Sequence, residues 1–208
     1  MSLGQPEADP VDLRARTLEL CEQVQTALAL AGLPHTPWLL TVVLEHGDHP
    51  DQPAIAARNG NYGHLYHAVI TVALSRSQMT QFDLNGKFLY LAELAYRLHI
   101  ENRSSLPEVE ARAFHKQHCE RFELPFDYEK VRNDLLDTRI LRLDDDEIAF
   151  KSKWVYCYFL ASWLSRNLRR TEAKEIVQKL TKHLYHETSA NILVFLAHLS
   201  DDPLIIGT

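Results

Sequence analysis

Histidine and cysteine are the residues of this chain with the most chemistry to offer: it carries eleven of the first and three of the second. Four histidine pairs stand three apart, at His46/His49, His64/His67, His115/His118 and His183/His186. On a helix that spacing turns both rings to one side, and Cys119 beside His118 adds a sulfur. A metal centre needs a third and fourth ligand from elsewhere in the chain, each oriented by a partner of its own. No such ligand can be singled out, so the histidines read as surface or helix-packing residues and no metal is expected. Cys21, Cys119 and Cys157 are far apart and odd in number, which fits a reducing compartment better than a disulfide framework. Cys157 lies in an aromatic stretch and reads as a small buried hydrophobe. A Gly-x-Ser-x-Gly elbow is absent, and the carboxylates are scattered, so neither a nucleophile nor an acid–base pair emerges. The Gly86-Lys87 pair falls inside an amphipathic stretch and is followed by Phe88, where a phosphate loop requires Ser or Thr. The chain is expected to be no enzyme.

Composition narrows the remaining classes. With 208 residues, 46% of them hydrophobic and 24% charged, the chain is an ordinary folded protein with room for one large helical domain or two or three small ones. A net charge of −6 argues against a protein whose main task is neutralising nucleic-acid phosphates. The longest nearly uncharged apolar stretch, Trp154 to Leu164, is too short to cross ~30 Å of hydrocarbon. The opening MSLGQPEADP has neither the basic start nor the apolar run of a signal peptide. A cytoplasmic chain with no membrane partner is expected.

The elements that must position any site are predominantly helical. Residues 1–10 read as a disordered lead-in and 11–78 as a small helical bundle: a helix over 11–32, a second opened by Thr36 and Pro37, a loop over 46–60, and a third helix from Asn61 to Ser75. Residues 79–151 form a second unit. Apolar residues at 84, 88, 91, 92, 95 and 98 repeat with helical period behind Asp83 as cap. Ser105-Leu-Pro-Glu108 reads as a capping box starting a helix to Phe122. Asp127 caps a third helix carrying Val131, Leu135 and Leu136, and 140–143 and 147–151 alternate as two strands around Asp144-Asp145-Asp146. Three helices and a hairpin in that order are a winged helix. Residues 152–208 are helical again, over 152–169, 172–187 and 189–199. In the first of these, Trp154, Tyr158 and Ala161 are expected to share a face on which the wing rests. In the last, Asn191, Leu193, Val194, Phe195 and Leu196 are expected to be interior. The apolar Leu204-Ile205-Ile206 reads as the opening of something that continues in a longer protein. The fold class is therefore mainly α: a small helical bundle, a winged helix with a short two-stranded β-hairpin, then further α-helices.

Winged helices often lay their third helix in the DNA major groove. Here that helix, 127–139, sets Asp127, Glu129, Asp134 and Asp137 against Lys130, Arg132 and Arg139, and the wing tip is three aspartates. Like charge opposes approach to phosphates, so DNA is disfavoured as a partner. Under that alternative, Lys130 and Arg132 are the contacts. An adaptor acting through protein contacts alone is a third reading.

The order of these modules resembles the region after the ATPase core in bacterial STAND proteins (signal transduction ATPases with numerous domains, of the NACHT and NB-ARC kind). Leu33-Pro34-His35-Thr36-Pro37 is similar to the proline-bearing segment that opens their helical lid. Arg139-Ile140-Leu141 resembles the start of their winged-helix hairpin. Phe150-Lys151-Ser152 through Phe159-Leu160-Ala161 resembles the Phe-x-His, aromatic, Phe-x-Ala run that ends the winged helix. The stretch from His183 to Leu196, with Asp202-Pro-Leu-Ile-Ile206, is similar to the helical segment that follows. The resemblance spans residues 12–206. It implies a non-catalytic regulatory and oligomerisation module, a clamp on the nucleotide of a P-loop ATPase core that this chain lacks, supplied in cis or in trans, in a protein able to form homo-oligomers and used in bacterial defence signalling. It implies ATP or ADP only with that core, with Pro34 near the base, Ser152 at the position of a histidine that meets the β-phosphate, and Thr36, Pro37 and Lys153 as further nucleotide-facing residues. Ser152 stands where the family has histidine, and a hydroxyl brings no imidazolium charge. Lys151 and Lys153 flank it, but a strand sends alternate side chains to opposite faces, so Ser152 and the two lysines are not expected to point the same way.

Overall fold

A computed structural model describes residues 62–75, 79 and 82–200. The chain divides into two compact units, Met1–Leu65 and Tyr66–Thr208, and the second is described here. The helices expected within 11–60, with Pro34, Thr36 and Pro37, and the apolar tail at 204–206 lie outside the described residues.

Described in chain order are α1 (Tyr62–Ser75), α2 (Leu84–Ile100), β1 (Ser105–Pro107), α3 (Glu108–Phe122), α4 (Tyr128–Asp137), β2 (Leu141–Asp144), β3 (Glu147–Phe150), α5 (Lys153–Asn167), α6 (Thr171–Lys182) and α7 (Glu187–Leu199). The caps work as their residue types predict. Asp83 accepts from the Gly86 N–H at 2.8 Å and Asp127 from the Lys130 N–H at 3.2 Å, each satisfying a donor that a helix start leaves open. Three helices followed by a hairpin are thus present in the expected order.

One local reading is corrected. Ser105-Leu106-Pro107 is a strand and not a capping box. β1 pairs antiparallel with β3 through Ser105↔Ala149, Leu106↔Ile148 and Pro107↔Glu147, making a three-stranded sheet in the order β1-β3-β2. The Ser105 hydroxyl donates to Glu147 across the sheet, and the residue before α3 is Pro107, which makes no side-chain cap. Leu106 is fully buried; placing it under the sheet outweighs one cap hydrogen bond. Asp145 and Asp146 both have positive φ, 47° and 61°, the conformation of a tight two-residue hairpin turn that aspartate tolerates.

The core lies around α5, whose burial runs round the helix: Val155 and every residue from Cys157 to Leu164 are buried. The expectation of one shared face was too narrow, and the wing rests on other residues. Phe150 of β3 meets Tyr156 and Phe159, at ring-centroid distances of 6.0 and 5.8 Å. Trp154 instead lies against Tyr66 of α1 and Phe195 of α7. Tyr158 packs on Phe88 and Phe195, and its hydroxyl meets His67 Nδ1 at 2.6 Å. Two further placements differ from expectation. In α7, Ile192, Phe195 and Leu196 are buried while Val194 is exposed. Helix α6 ends at Lys182, so His183 and His186 lie in the connection that follows it.

Lys87 is the least predictable feature of the interior. It is 3% exposed on α2, and its ammonium sits 3.2 Å from Asp134 of α4, itself 7% exposed. The Gly86-Lys87 pair is therefore structural: the glycine allows close approach, since a Cβ there would meet Asp83 Oδ1 at 2.8 Å and Phe82 Cε2 at 2.9 Å. The lysine ties the first and third helices of the trihelical unit together.

Candidate functional site

Among the described residues, no three His, Cys, Asp or Glu side chains converge as a metal site would require. His115 and His118 share a buried face of α3 but reach different partners, the Phe126 carbonyl at 3.0 Å and Glu93 at 3.3 Å. Cys119 Sγ lies 3.3 Å from His115 Nε2, the spacing of a nucleophile and its base. That nitrogen, however, faces a carbonyl that can only accept, so it carries the proton and cannot take one from sulfur. Burial also pushes the Cys119 thiol up, away from the thiolate that nucleophilic chemistry needs.

Cys157 is fully buried, as its aromatic surroundings imply, and burial pushes its thiol up to about 12. Burial raises the phenols of Tyr66, Tyr156 and Tyr158 as well. For all four groups the fold favours the protonated form. Their contribution is fully present below the unfolded thiol value of about 8.5 and is lost as pH rises toward the folded values. The urea midpoint is therefore expected to fall steadily from pH 8 to pH 11, and to fall less steeply in Cys157→Ala. A flat profile would show these side chains to be hydrated in the native state.

A concentration of positive charge lies beside the sheet. A cleft of about 760 Å³ opens between the end of α2, the connection from α2 to β1, the β2–β3 pair, the first turn of α5 and the start of α7. Four cations line it, Arg103, Arg142, Lys151 and Lys153, and no carboxylate does. Arg103 is paired outside the cleft with Glu110 at 2.6 Å, Arg142 with Asp144, and Lys153 with Glu187 at 3.3 Å. Lys151 has no carboxylate partner among the described residues. On the wall, His99 Nδ1 lies 3.2 Å from the Tyr156 hydroxyl. Burial, and then the Lys179 ammonium, push its imidazole below the ordinary histidine value, so it adds no charge near neutral pH.

Ser152 is at the centre of this wall as the N-cap of α5. Its Oγ accepts from the Val155 N–H at 3.3 Å, which leaves the hydroxyl proton free to donate. Lys151, Ser152 and Lys153 all line the cleft, contrary to the alternation expected of a strand. The reason is local: β3 ends at Phe150 and α5 begins at Lys153, so the pleat has stopped where the three residues turn the corner. The cleft offers cations and a helix N-terminus, a pairing suited to anionic oxygen. Sequence reasoning missed Arg103 and Arg142. Arg103 stands far from Lys151 in the chain, and the pairing of β1 with β3 brings it to the hairpin that carries Arg142.

The two residues expected to touch DNA are not equivalent. Lys130 is exposed on α4, whereas Arg132 pairs with Glu108 and, at 2.8 Å, with Glu129, and lies over the Tyr128 ring. Among the described residues no helix is long and apolar enough to cross a membrane.

A family model described as Novel STAND NTPase 4 matches residues 104–160. The matched stretch begins one residue before β1 and ends inside α5, so it takes in the sheet, α3, α4 and the cleft's Arg142, Lys151, Ser152 and Lys153. Over that stretch the chain is similar to a STAND NTPase family. No curated protein and no solved structure matches the chain.

Proposed function

We propose that the chain is a non-catalytic regulatory module of a STAND-type ATPase, in which α2 to β3 form a winged helix that closes over a nucleotide held by a separate P-loop core. The observation that carries this reading is the coincidence of two boundaries. The family match spans the sheet and the corner at 151–153, where the cleft lined by four cations and no carboxylate opens. The element order helix, strand, helix, helix, hairpin, with β3 between β1 and β2, supports the winged-helix assignment.

The cleft supplies what a clamp on a phosphate requires. In the resembling family a histidine occupies the position of Ser152. Here the seryl oxygen accepts a backbone hydrogen bond, and the cationic part passes to Lys151, with Arg142, Arg103 and Lys153 around it. Exchanging a nucleoside diphosphate for a triphosphate in the core would alter contacts that only the closed state makes. That differential is what moves a two-state equilibrium, and the module would release as a rigid body and permit oligomerisation.

Activity, binding and ADP release test this. The purified chain is expected to show no ATP turnover above the background of a mock preparation, and to hold ADP weakly or not at all by calorimetry. Reading the coding sequence upstream is expected to reveal a P-loop and an acidic strand motif; joined to such a core, this chain should slow ADP release about tenfold, the effect of roughly 1.4 kcal/mol of added contact. Lys151→Ala should remove most of that effect. Intrinsic turnover, or ADP release from the core unchanged by this chain, would overturn the proposal.

A further inference from the structure

The wing tip is both acidic and flanked by apolar side chains. Asp145 and Asp146 have no side-chain partner among the described residues. Beside them stand Val109, 81% exposed, and Leu143, 39% exposed. A hydrogen bond from the Glu108 N–H to the Asp146 carbonyl, at 2.8 Å, fixes the start of α3 against the turn, so Val109 and the aspartates form one projection.

A second surface carries the opposite pattern. A groove of about 430 Å³ lies between α2, α3, the end of α5 and the start of α6. Its floor is the stacked pair Tyr96 and Trp163, with ring centroids 3.6 Å apart, together with Ile100, 55% exposed. Arg97, Arg121 and Arg170 form its rim, Arg97 already paired with Glu101 on the same helix. Glu93, the carboxylate deepest in the groove, already meets Arg121 and His118, which leaves Glu172 as the other acid there. Arg170 has no side-chain partner among the described residues.

We propose that the wing tip of one copy docks into the arginine-rimmed groove of a second copy, head to tail. The tip cannot reach its own groove: α3 separates them, from Glu108 at the turn to Phe114, Gln117 and Arg121 at the groove, or about 9–20 Å at ~1.5 Å per residue. An acidic knob with apolar shoulders matches an apolar floor with a cationic rim, and desolvating the shoulders strengthens the charge pairing. Because the two surfaces differ, the contact is heterologous and propagates instead of closing as a twofold dimer. This inference uses surfaces apart from the cationic cleft and holds whether or not that cleft meets a nucleotide.

Sedimentation velocity on the full chain tests it. Wild-type protein at low salt is expected to self-associate with concentration and to dissociate at high salt. Asp145→Asn/Asp146→Asn and, separately, Arg170→Asp should each lower the association constant about tenfold or more. Both variants should fold: asparagine tolerates the positive φ of the turn, and aspartate at 170 supplies α6 with the side-chain cap that Arg170 does not. A urea midpoint for Arg170→Asp at or above wild type verifies this. Mixing the two variants is the decisive arm. One retains the groove and the other the tip, so the mixture should form a single heterodimer that grows no further. A wild-type monomer at every concentration, association untouched by either variant, or a mixture that fails to recombine would overturn the proposal.

Discussion

Replacing Asp134 with alanine is expected to lower stability by about 3–5 kcal/mol, the usual cost of removing one partner of a buried ion pair. Lys87 and Asp134 are 4% and 6% exposed at the side chain. Besides the lysine, Asp134 accepts from the Met79 N–H at 3.4 Å. In the variant, the Lys87 ammonium would be left in the interior with the Met79 carbonyl, 3.4 Å away, as one remaining partner. It must then remain charged at a high desolvation cost or lose its proton. Urea denaturation followed by circular dichroism measures the loss. The companion Lys87→Met/Asp134→Leu should recover most of it, because apolar side chains of similar volume need no desolvation of charge. A loss below about 1 kcal/mol, the scale of surface pairs, would show that water reaches the pair.

Phe159→Ala is the second large effect, expected at about 3–5 kcal/mol from lost burial and the cavity left behind. Phe159 is fully buried, with Phe88 of α2, Phe150 of β3 and Tyr158 around it at ring-centroid distances of 5.4–5.8 Å. It is where sheet, first helix and aromatic helix meet. Its loss should therefore loosen β3, and hydrogen exchange at Ile148–Phe150 is expected to accelerate more than exchange in α6. As a control, Tyr185→Ala at a 76% exposed position should stay within about 0.5 kcal/mol of wild type. If the two variants proved equally stable, the assignment of the core to α5 would fail.

These two residues mark where the sequence was and was not legible. Phe159 is one of a run of aromatic residues that reads as interior from composition alone. The helices at 84–100, 108–122 and 128–137 follow from apolar period and from Asp83 and Asp127 at their starts. Such signals are local, because a helix satisfies its backbone within its own turns. The hairpin is legible for the same reason, since two strands joined by a two-aspartate turn are neighbours in the chain.

The remainder depends on residues far apart. Strand β1 is three residues long, and nothing in Ser-Leu-Pro distinguishes it from a helix start until Ala149 and Ile148 lie alongside. Lys87 resembles any lysine on a helix until α4 brings Asp134 against it. The paired histidines look like half of a metal site, and their roles are decided by Glu93 and the Phe126 carbonyl, supplied by other segments. The cationic cleft is the clearest instance: Arg103 reaches the hairpin residues Arg142 and Lys151 only because β1 pairs with β3. From its residue order alone, this protein determined which of the described segments become helix or hairpin, because those features are built from neighbours. The third strand, the buried ion pair and the gathering of positive charge at one corner were decided only by tertiary structure, because each requires groups that meet only when the chain folds back on itself.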